Sequence, residues 1–377
     1  YHHSPRDIFR LNLMQGRSQF DLANLRSQHT NGMDASQRLT DQSAAVAWVR
    51  TLSPSAIYES NLSWRTSSAF LNPSPGDTPV TAWQDRRLST YTAWNRLSVT
   101  HGAHSFRAGV DLQRFPVRER FTFNDVFRFD QAGTGGLYSA FIQDRVRWQR
   151  FQFSLGLRYD VYRFLSRGNQ LQPRVGVSYE LIPGRTVLRA SYNRTYQTPP
   201  NENLLLSNTP GALALARGGL AIIPPERQNF YEAGIQQALG SKVSLTASYY
   251  HKDARDQQDN NSFFETGIIF PTSLARIRVN GAEGRIAVTP LRTAVGNWSG
   301  TVSFTHARAI STPPFTGGLF LGQEAVDLLS AGPFVIDHDQ KLAVHGVVTW
   351  SRRGWFSTAS VRYDSGLVAN PSDPAEV

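Results

Sequence analysis

The stretch FQFSLGLRYDV, Phe151 to Val161, decides the fold class. Phe153, Leu155, Leu157, Tyr159 and Val161 alternate with Ser154, Gly156, Arg158 and Asp160. Successive side chains of a strand point to opposite faces, so this stretch presents one apolar and one polar face. The dipeptide Trp148-Gln149 just before it marks a tight turn, which joins it to the strand ending at Asp144. The same alternation recurs in both directions along the chain. Ala56, Tyr58, Leu62 and Trp64 oppose Ile57, Glu59, Asn61 and Arg65 in phase, and Phe106, Ala108, Val110 and Leu112 alternate with Arg107, Gly109, Asp111 and Gln113. It returns at Val175 to Leu181, Val243 to Tyr249 and Trp355 to Tyr363.

Alternation alone also suits a soluble β-sandwich. Three features favour a membrane barrel. The strands run about ten to thirteen residues, the length that crosses a bilayer at a tilt, whereas sandwich strands are shorter. Aromatics stand near strand ends, at Trp48, Tyr58, Trp64, Trp148, Tyr179, Tyr192, Trp298, Trp350 and Trp355, where amphipathic rings settle at headgroup level. The polar face carries Gly, Ser, Arg, Asp and Glu, which suits a wet lumen. Connections also alternate. Tight turns are expected at Ser53-Pro54, His101-Gly102, Trp148-Gln149, Pro183-Gly184, Leu239-Gly240 and Arg353-Gly354. Longer links are expected near 16–43, 67–87, 117–136, 196–227, 254–276 and 310–339. The count is about fifteen antiparallel strands.

Composition narrows the function classes. The 377 residues carry 39 Lys and Arg against 29 Asp and Glu, a net charge of +10. The arginines are spread singly along the chain with no basic block, which argues against nucleic acid. There is no cysteine, so a disulfide scaffold, a thiolate metal site and a cysteine nucleophile are excluded. Mean hydropathy is −0.36, and no run approaches a membrane helix. The most apolar candidate, Leu204 to Pro225, is interrupted by Pro210, Gly211, Arg217 and Gly218. No HExxH, GxSxG or GxxxxGK[ST] pattern occurs, so no enzyme activity, catalytic residue or cofactor is expected. His2-His3 and Asp337-His338-Asp339 are the dense His/Asp groups. The second has donors for a divalent ion, but a polar loop re-entering a strand is the preferred reading, and no metal site is expected. Asn61 and Asn297 spell glycosylation sequons inside expected strands.

Several motifs resemble the barrel of TonB-dependent outer-membrane receptors, in particular the type with a carboxypeptidase-regulatory-like domain. The clearest is SAFIQDRVRWQRFQFSLGLRYD (139–160); RTVLRASYNRTYQTPP (185–200), PERQNFYEAGIQQALGSKVSLTASYYHKDARD (225–256), DHDQKLAVHGVVTW (337–350), VRYDSGL (361–367) and HSFRAGVDLQRF (104–115) follow the family's order. The resemblance implies an all-β, antiparallel transmembrane barrel of the 22-stranded type, of which about 15 strands are present. It implies that residues 1–377 form a partial barrel domain without the plug and without the last strands. The implied function is TonB-coupled active uptake of a scarce solute, such as a siderophore, cobalamin, oligosaccharide or peptide. The implied partners are outer-membrane lipid, an extracellular solute, and the TonB complex through the plug. A passive porin-like channel and a soluble or surface β-rich binding protein are the alternatives.

The candidate solute contacts lie on the expected lumen face: Arg158, Arg174, Glu180, Arg189 and Asn193. The arginines suit an anionic solute or a plug; pairing with Asp160 or Glu180 is the preferred reading. The Leu-, Ala- and Gly-rich loop Asn203 to Pro225 reads either as a ligand contact or as a packed lid with a short helical turn.

Overall fold

Two residues, Arg353 and Gly354, both at positive φ (46° and 84°), join the last two long strands. That is the two-residue turn geometry that matches strand twist, and Gly102 (φ 55°) serves the hairpin at His101-His104 in the same way. Tight hairpins of this kind join strands on one side of the sheet. The computed structural model describes residues 2–22, 25–78, 80–201, 204–207, 223–262, 268–316, 331–336 and 339–367.

The strands begin with β1 (His2–Ser4), β2 (Asp7–Asp21), β3 (Ser36–Ser53), β4 (Ala56–Asn72), β5 (Ala82–His101) and β6 (His104–Phe123). Next come β7 (Phe127–Trp148), β8 (Phe151–Arg163), β9 (Arg167–Ile182), β10 (Thr186–Gln197), β11 (Glu226–Leu239) and β12 (Val243–Ser262). The last are β13 (Ile269–Thr293), β14 (Gly296–Thr316), β15 (Phe334–Val335), β16 (Leu342–Arg352) and β17 (Trp355–Asp364). Helices are short: α1 (Arg26–Thr30) and α2 (Leu204–Ser207). Each long strand pairs antiparallel with its chain neighbours from β2 to β17, with β16 on β14 and the two-residue β15 beside it. Setting aside β1 and β15, fifteen long strands remain among the described residues, as expected from the sequence. The sheet is not closed.

Register aligns the two faces across the sheet. One row reads Leu11, Val46, Leu62, Ala93, Leu112, Tyr138, Val161 across β2 to β8. Most of its members are exposed, Leu62 at 66% and Leu112 at 47%, and Ala93 and Val161 are half-buried. A soluble protein does not leave so wide an apolar face open to water. The adjacent row on the other face reads Asn61, Trp94, Asp111, Ser139, Asp160, Gln170. A one-residue slip would exchange the faces, so the alternation pins the register. Aromatic pairs cluster toward the tight turns, with Phe9 on Trp48 (6.2 Å), Trp48 on Tyr58 (5.6 Å), Phe151 on Tyr179 (4.5 Å) and Trp298 on Trp350 (6.4 Å). A second aromatic level lies nearer the long links, at Trp64, Tyr91 and Tyr192. On β4, Tyr58 and Trp64 are ~20 Å apart at the usual strand rise, close to the height of a barrel's apolar band.

Three expected long links are instead largely strand. Residues 117–136 are the paired ends of β6 and β7, joined at 124–126. Much of 67–87 belongs to β4 and β5, and much of 254–276 to β12 and β13. Strand lengths therefore exceed the expected ten to thirteen, reaching 22 residues in β7 and 25 in β13. The reason is cross-strand charge pairing beyond the apolar band. Arg118 Nη2 meets Asp130 Oδ2 at 2.9 Å, Arg120 pairs with Asp85, and Arg276 grips Asp253 at 2.7 and 2.8 Å. Polar composition there resembled a loop, yet opposite charges facing each other extend the ladder. Asn124 and Asp125 take the left-handed conformation at φ 46° and 53°, which their short polar side chains tolerate.

Candidate functional site

Arg158, on the polar face of β8, is the hub of the cluster best built from side chains. Its Nε donates to Asp160 Oδ1 (2.8 Å) and its Nη1 to Asp111 Oδ2 (3.1 Å) of β6. Asp160 is 4% exposed, and its other oxygen accepts from Gln172 Nε2 (2.6 Å) on β9. Arg96 of β5 reaches Asp111 Oδ1 at 3.7 Å and stacks on Trp94 at 4.2 Å. Arg107 reaches Glu59 at 3.4 Å. Alternation puts all these groups on one face, and register brings β5, β6, β8 and β9 to the same level. Arg96, Arg107, Asp111, Gln143, Arg158 and Arg174 line a recess of ≈ 180 Å³. Buried carboxylates are tolerated here because each finds a guanidinium or amide donor. Among the described residues, Ser139 Oγ and Asp111 Oδ1 are buried without a hydrogen-bond partner, and such atoms are open to a water or a ligand group.

All five residues expected to contact solute lie on this polar face. Arg158 pairs with Asp160, the partner preferred from sequence. Arg174 joins it at the recess, and Asn193 stands directly across from Arg174 on β10. The β9–β10 ladder ends at that pair. Next along β9 is Pro173, which has no N–H for a ladder bond. Glu180 and Arg189 do not join the cluster. Glu180 is six residues from Arg174 on β9, ~20 Å toward the tight turn, and Arg189 sits opposite Ser178. Among the described residues no arginine pairs with Glu180. Sequence reasoning did not single out Arg96, Asp111 or Gln172 as a group, although Asp111 stood in the polar phase of its strand.

An apolar cluster packs around α2 on the long-link side. Leu204, Leu205 and Leu206 of α2 are buried, and α2 packs against the neighbouring strands β6 and β7 and against β13, which lies far from them in the strand order. Leu205, Leu206 and Ile268 join Leu71, Val80, Ala82, Val117, Phe121 and Phe129 in one apolar cluster. Glu119, 2% exposed, accepts the Leu206 N–H at 2.9 Å. The described part of the 203–225 loop contains a packed helical turn; residues 203 and 208–222 lie outside the described residues. Glu226 opens β11 on this side, 1% exposed. Burial pushes its carboxyl above the ordinary range, partly offset by the Gln258 N–H, Lys252 and Gln228. Of the Asp337-His338-Asp339 group, Asp339 is buried and accepts the Ala309 N–H at 2.8 Å, as a polar loop re-entering a strand does; 337 and 338 lie outside the described residues, as do the His2 and His3 side chains. Among the described residues no group of three His, Asp or Glu could hold a metal. Asn61 and Asn297 lie within β4 and β14.

A large antiparallel sheet with an exposed apolar face and a charged inner face narrows the choice to a membrane barrel. Residues 4–375 match the family described as TonB dependent receptor-like, beta-barrel. The chain belongs to the TonB-dependent receptor β-barrel family. Its exposed apolar face is therefore the lipid face of an outer-membrane barrel, and its polar face lines the lumen. The uncharacterized protein YddB of Escherichia coli (strain K12) is 26% identical over 133 residues, which is 33% of this chain and 16% of that protein. The crystal structure of the outer membrane transporter YddB from Escherichia coli superposes with a TM-score of 0.67 at 13% identity, covering 99% of this chain and 57% of that one. The copper transporter OprC gives 0.70 at 15% identity, covering 96% and 56%. The ferric citrate transporter FecA gives 0.67 at 12%, covering 97% and 56%. At these identities the superpositions show the fold. The chain spans little more than half the length of the solved structures it matches.

Proposed function

We propose that this chain is the greater part of the wall of a receptor for TonB-coupled uptake of a scarce extracellular solute. The observation that supports this reading most is the family match over residues 4–375, combined with a lumen face whose charged groups converge at one level. In this reading a plug encoded elsewhere in the same protein sits against the lumen wall and carries the contact to TonB. Arg158 and Asp160 hold each other and shape the wall. Arg174 and Asn193, next to the recess, are the residues offered to the plug or to an anionic solute. Guanidinium suits carboxylate- or phosphate-bearing groups because its donors match them in pairs. Similarity in fold to a copper transporter, a ferric citrate transporter and a ferric-catecholate import receptor favours a metal chelate over an oligosaccharide, cobalamin or peptide. No residue of the chain is assigned covalent chemistry.

The test is uptake by cells carrying the intact receptor, with and without a functional TonB. Accumulation of a labelled solute should require both TonB and the inner-membrane proton gradient. Entry that persists without TonB, with open-channel conductance in planar bilayers, would replace this reading with a passive channel.

A further inference from the structure

The tight turns carry a charge pattern that the long-link side does not share. In strand order, the turns between β7 and β8, β9 and β10, β11 and β12, β13 and β14, and β16 and β17 contain RWQR (147–150), IPGR (182–185), GSK (240–242), LRT (291–293) and SRR (351–353). Each holds one or two cations and no carboxylate. Arg147, Arg150, Arg185, Lys242, Arg292, Arg352 and Arg353 are all exposed. Among the described residues none of them pairs with a carboxylate, whereas Arg118, Arg120 and Arg276, toward the other end of the strands, are held by Asp130, Asp85 and Asp253. Glu180 of β9 stands in the lumen phase and pairs with none of the seven.

These turns form one continuous rim. Consecutive turns are two strands apart, ~10 Å. The carbonyls of Arg150, Arg185 and Lys242 accept the N–H groups of Glu180 (2.9 Å), Ala238 (2.7 Å) and Thr289 (2.8 Å), each on the next strand, so the three turns are tied edge to edge. Aromatic rings stand beside them on the side of the apolar band. Trp148 stacks on Phe151 (6.0 Å) and Phe151 on Tyr179 (4.5 Å) next to Arg150, and Trp298 meets Trp350 (6.4 Å) next to Arg292 and Arg352. Further into the band, Leu155, Leu188, Ile235 and Ile286 are exposed on the outward face.

We propose that this rim binds the headgroups of anionic phospholipids in the periplasmic leaflet, with Arg150, Arg185 and Lys242 at its centre. Short turns face the periplasm, and the aromatic rings mark headgroup level. The cations lie a few residues further out, within ~10 Å by strand rise, which is the depth of the lipid phosphates. Long cationic side chains keep their stems on apolar surface while the charge seeks the polar layer. Cations without counter-charges repel one another, and a bound phosphodiester relieves that repulsion. A soluble polyanion would meet the charge but gain nothing from the apolar wall beside it, which favours a lipid. The inference rests on the membrane placement of the apolar face and not on TonB-coupled uptake.

The experiment places a bimane label on L181C, an outward position beside the β9–β10 turn, in a cysteine-free form of the intact receptor. The labelled receptor is reconstituted into phosphatidylcholine vesicles containing dibrominated phosphatidylglycerol or dibrominated phosphatidylcholine. One engaged cation per lipid gives a preference of about fivefold, so phosphatidylglycerol should quench half of the signal at about one-fifth of the mole fraction that phosphatidylcholine needs. R150Q/R185Q/K242Q should bring the two lipids together. Equal quenching by both lipids in the unmodified receptor, or a preference that R150Q/R185Q/K242Q leaves intact, overturns the proposal. Should that variant fail to fold, salt decides on the unmodified receptor: about 1 M sodium chloride screens exposed charges and should abolish the preference, and a preference indifferent to salt refutes a headgroup site. Inorganic phosphate at matched ionic strength should do no more than chloride; if it does more, the rim's ligand is a soluble phosphate and not a lipid.

Discussion

Removing the Asp160 carboxylate tests the lumen cluster most sharply. D160A deletes both acceptors of a buried group, the one held by Arg158 Nε at 2.8 Å and the one held by Gln172 Nε2 at 2.6 Å. Hydrogen bonds to a charged group contribute about 1.5–3 kcal/mol each, and stranding a buried partner costs most. Gln172, 1% exposed, is shielded from solvent. Arg158 does better, because it keeps Asp111 at 3.1 Å and its side chain is a quarter exposed. The sum is therefore discounted to about 2–4 kcal/mol for D160A. D160N retains one acceptor and should cost about half as much. The assay is equilibrium urea unfolding of the intact receptor in detergent, run as a double-mutant cycle with R158Q. A coupling of at least about 1 kcal/mol is expected. If the two substitutions are additive within error, the hydrogen-bonded cluster is not what holds this wall.

Further outcomes follow from other parts of the sheet. V110R places a charge on the lipid face and should destabilise by about 2–4 kcal/mol, while Q113R on the lumen face should change little; both are read by the same unfolding assay. In G135A the added methyl would collide with the buried Phe115 ring, at a cost of about 1–3 kcal/mol. E119Q weakens the acceptor for the Leu206 N–H and should raise hydrogen exchange at Leu205 and Leu206 without altering exchange in β8. Glu226 gives a pH signature. Its folded carboxyl is raised above the ordinary 4.5, so the folded state holds the proton more tightly than the unfolded one. Stability should fall as pH rises from about 4.5 through the raised value. E226Q should flatten that slope; an unchanged slope assigns it elsewhere.

Much of the fold was legible because it rests on a period of two. The alternation of Phe153 to Val161 fixed a face, and the tight turns at His101-Gly102 and Arg353-Gly354 fixed the direction reversals. The mouth was not legible, because beyond the apolar band the alternation changes meaning. From Phe115 to Phe121 the buried face turns inward against α2, and the outward face becomes arginine, so the segment resembled a loop. Cross-strand neighbours are invisible in one sequence. Asp111 and Arg158 are 47 residues apart, so the lumen cluster needed the register. Glu180 and Arg189 shared the correct face with Arg158, yet a face is long, and period alone does not give depth along it.

The central claim is that one face of this sheet meets lipid and the other lines the lumen. Single cysteines placed from Ser105 to Gln113 in a cysteine-free form of the intact receptor, labelled with bimane and quenched by brominated lipid, test it most directly. Strong quenching at Phe106, Ala108, Val110 and Leu112, with weak quenching at Arg107, Gly109 and Asp111, is the result expected here. Quenching with no period of two, or with the opposite phase, would contradict the account.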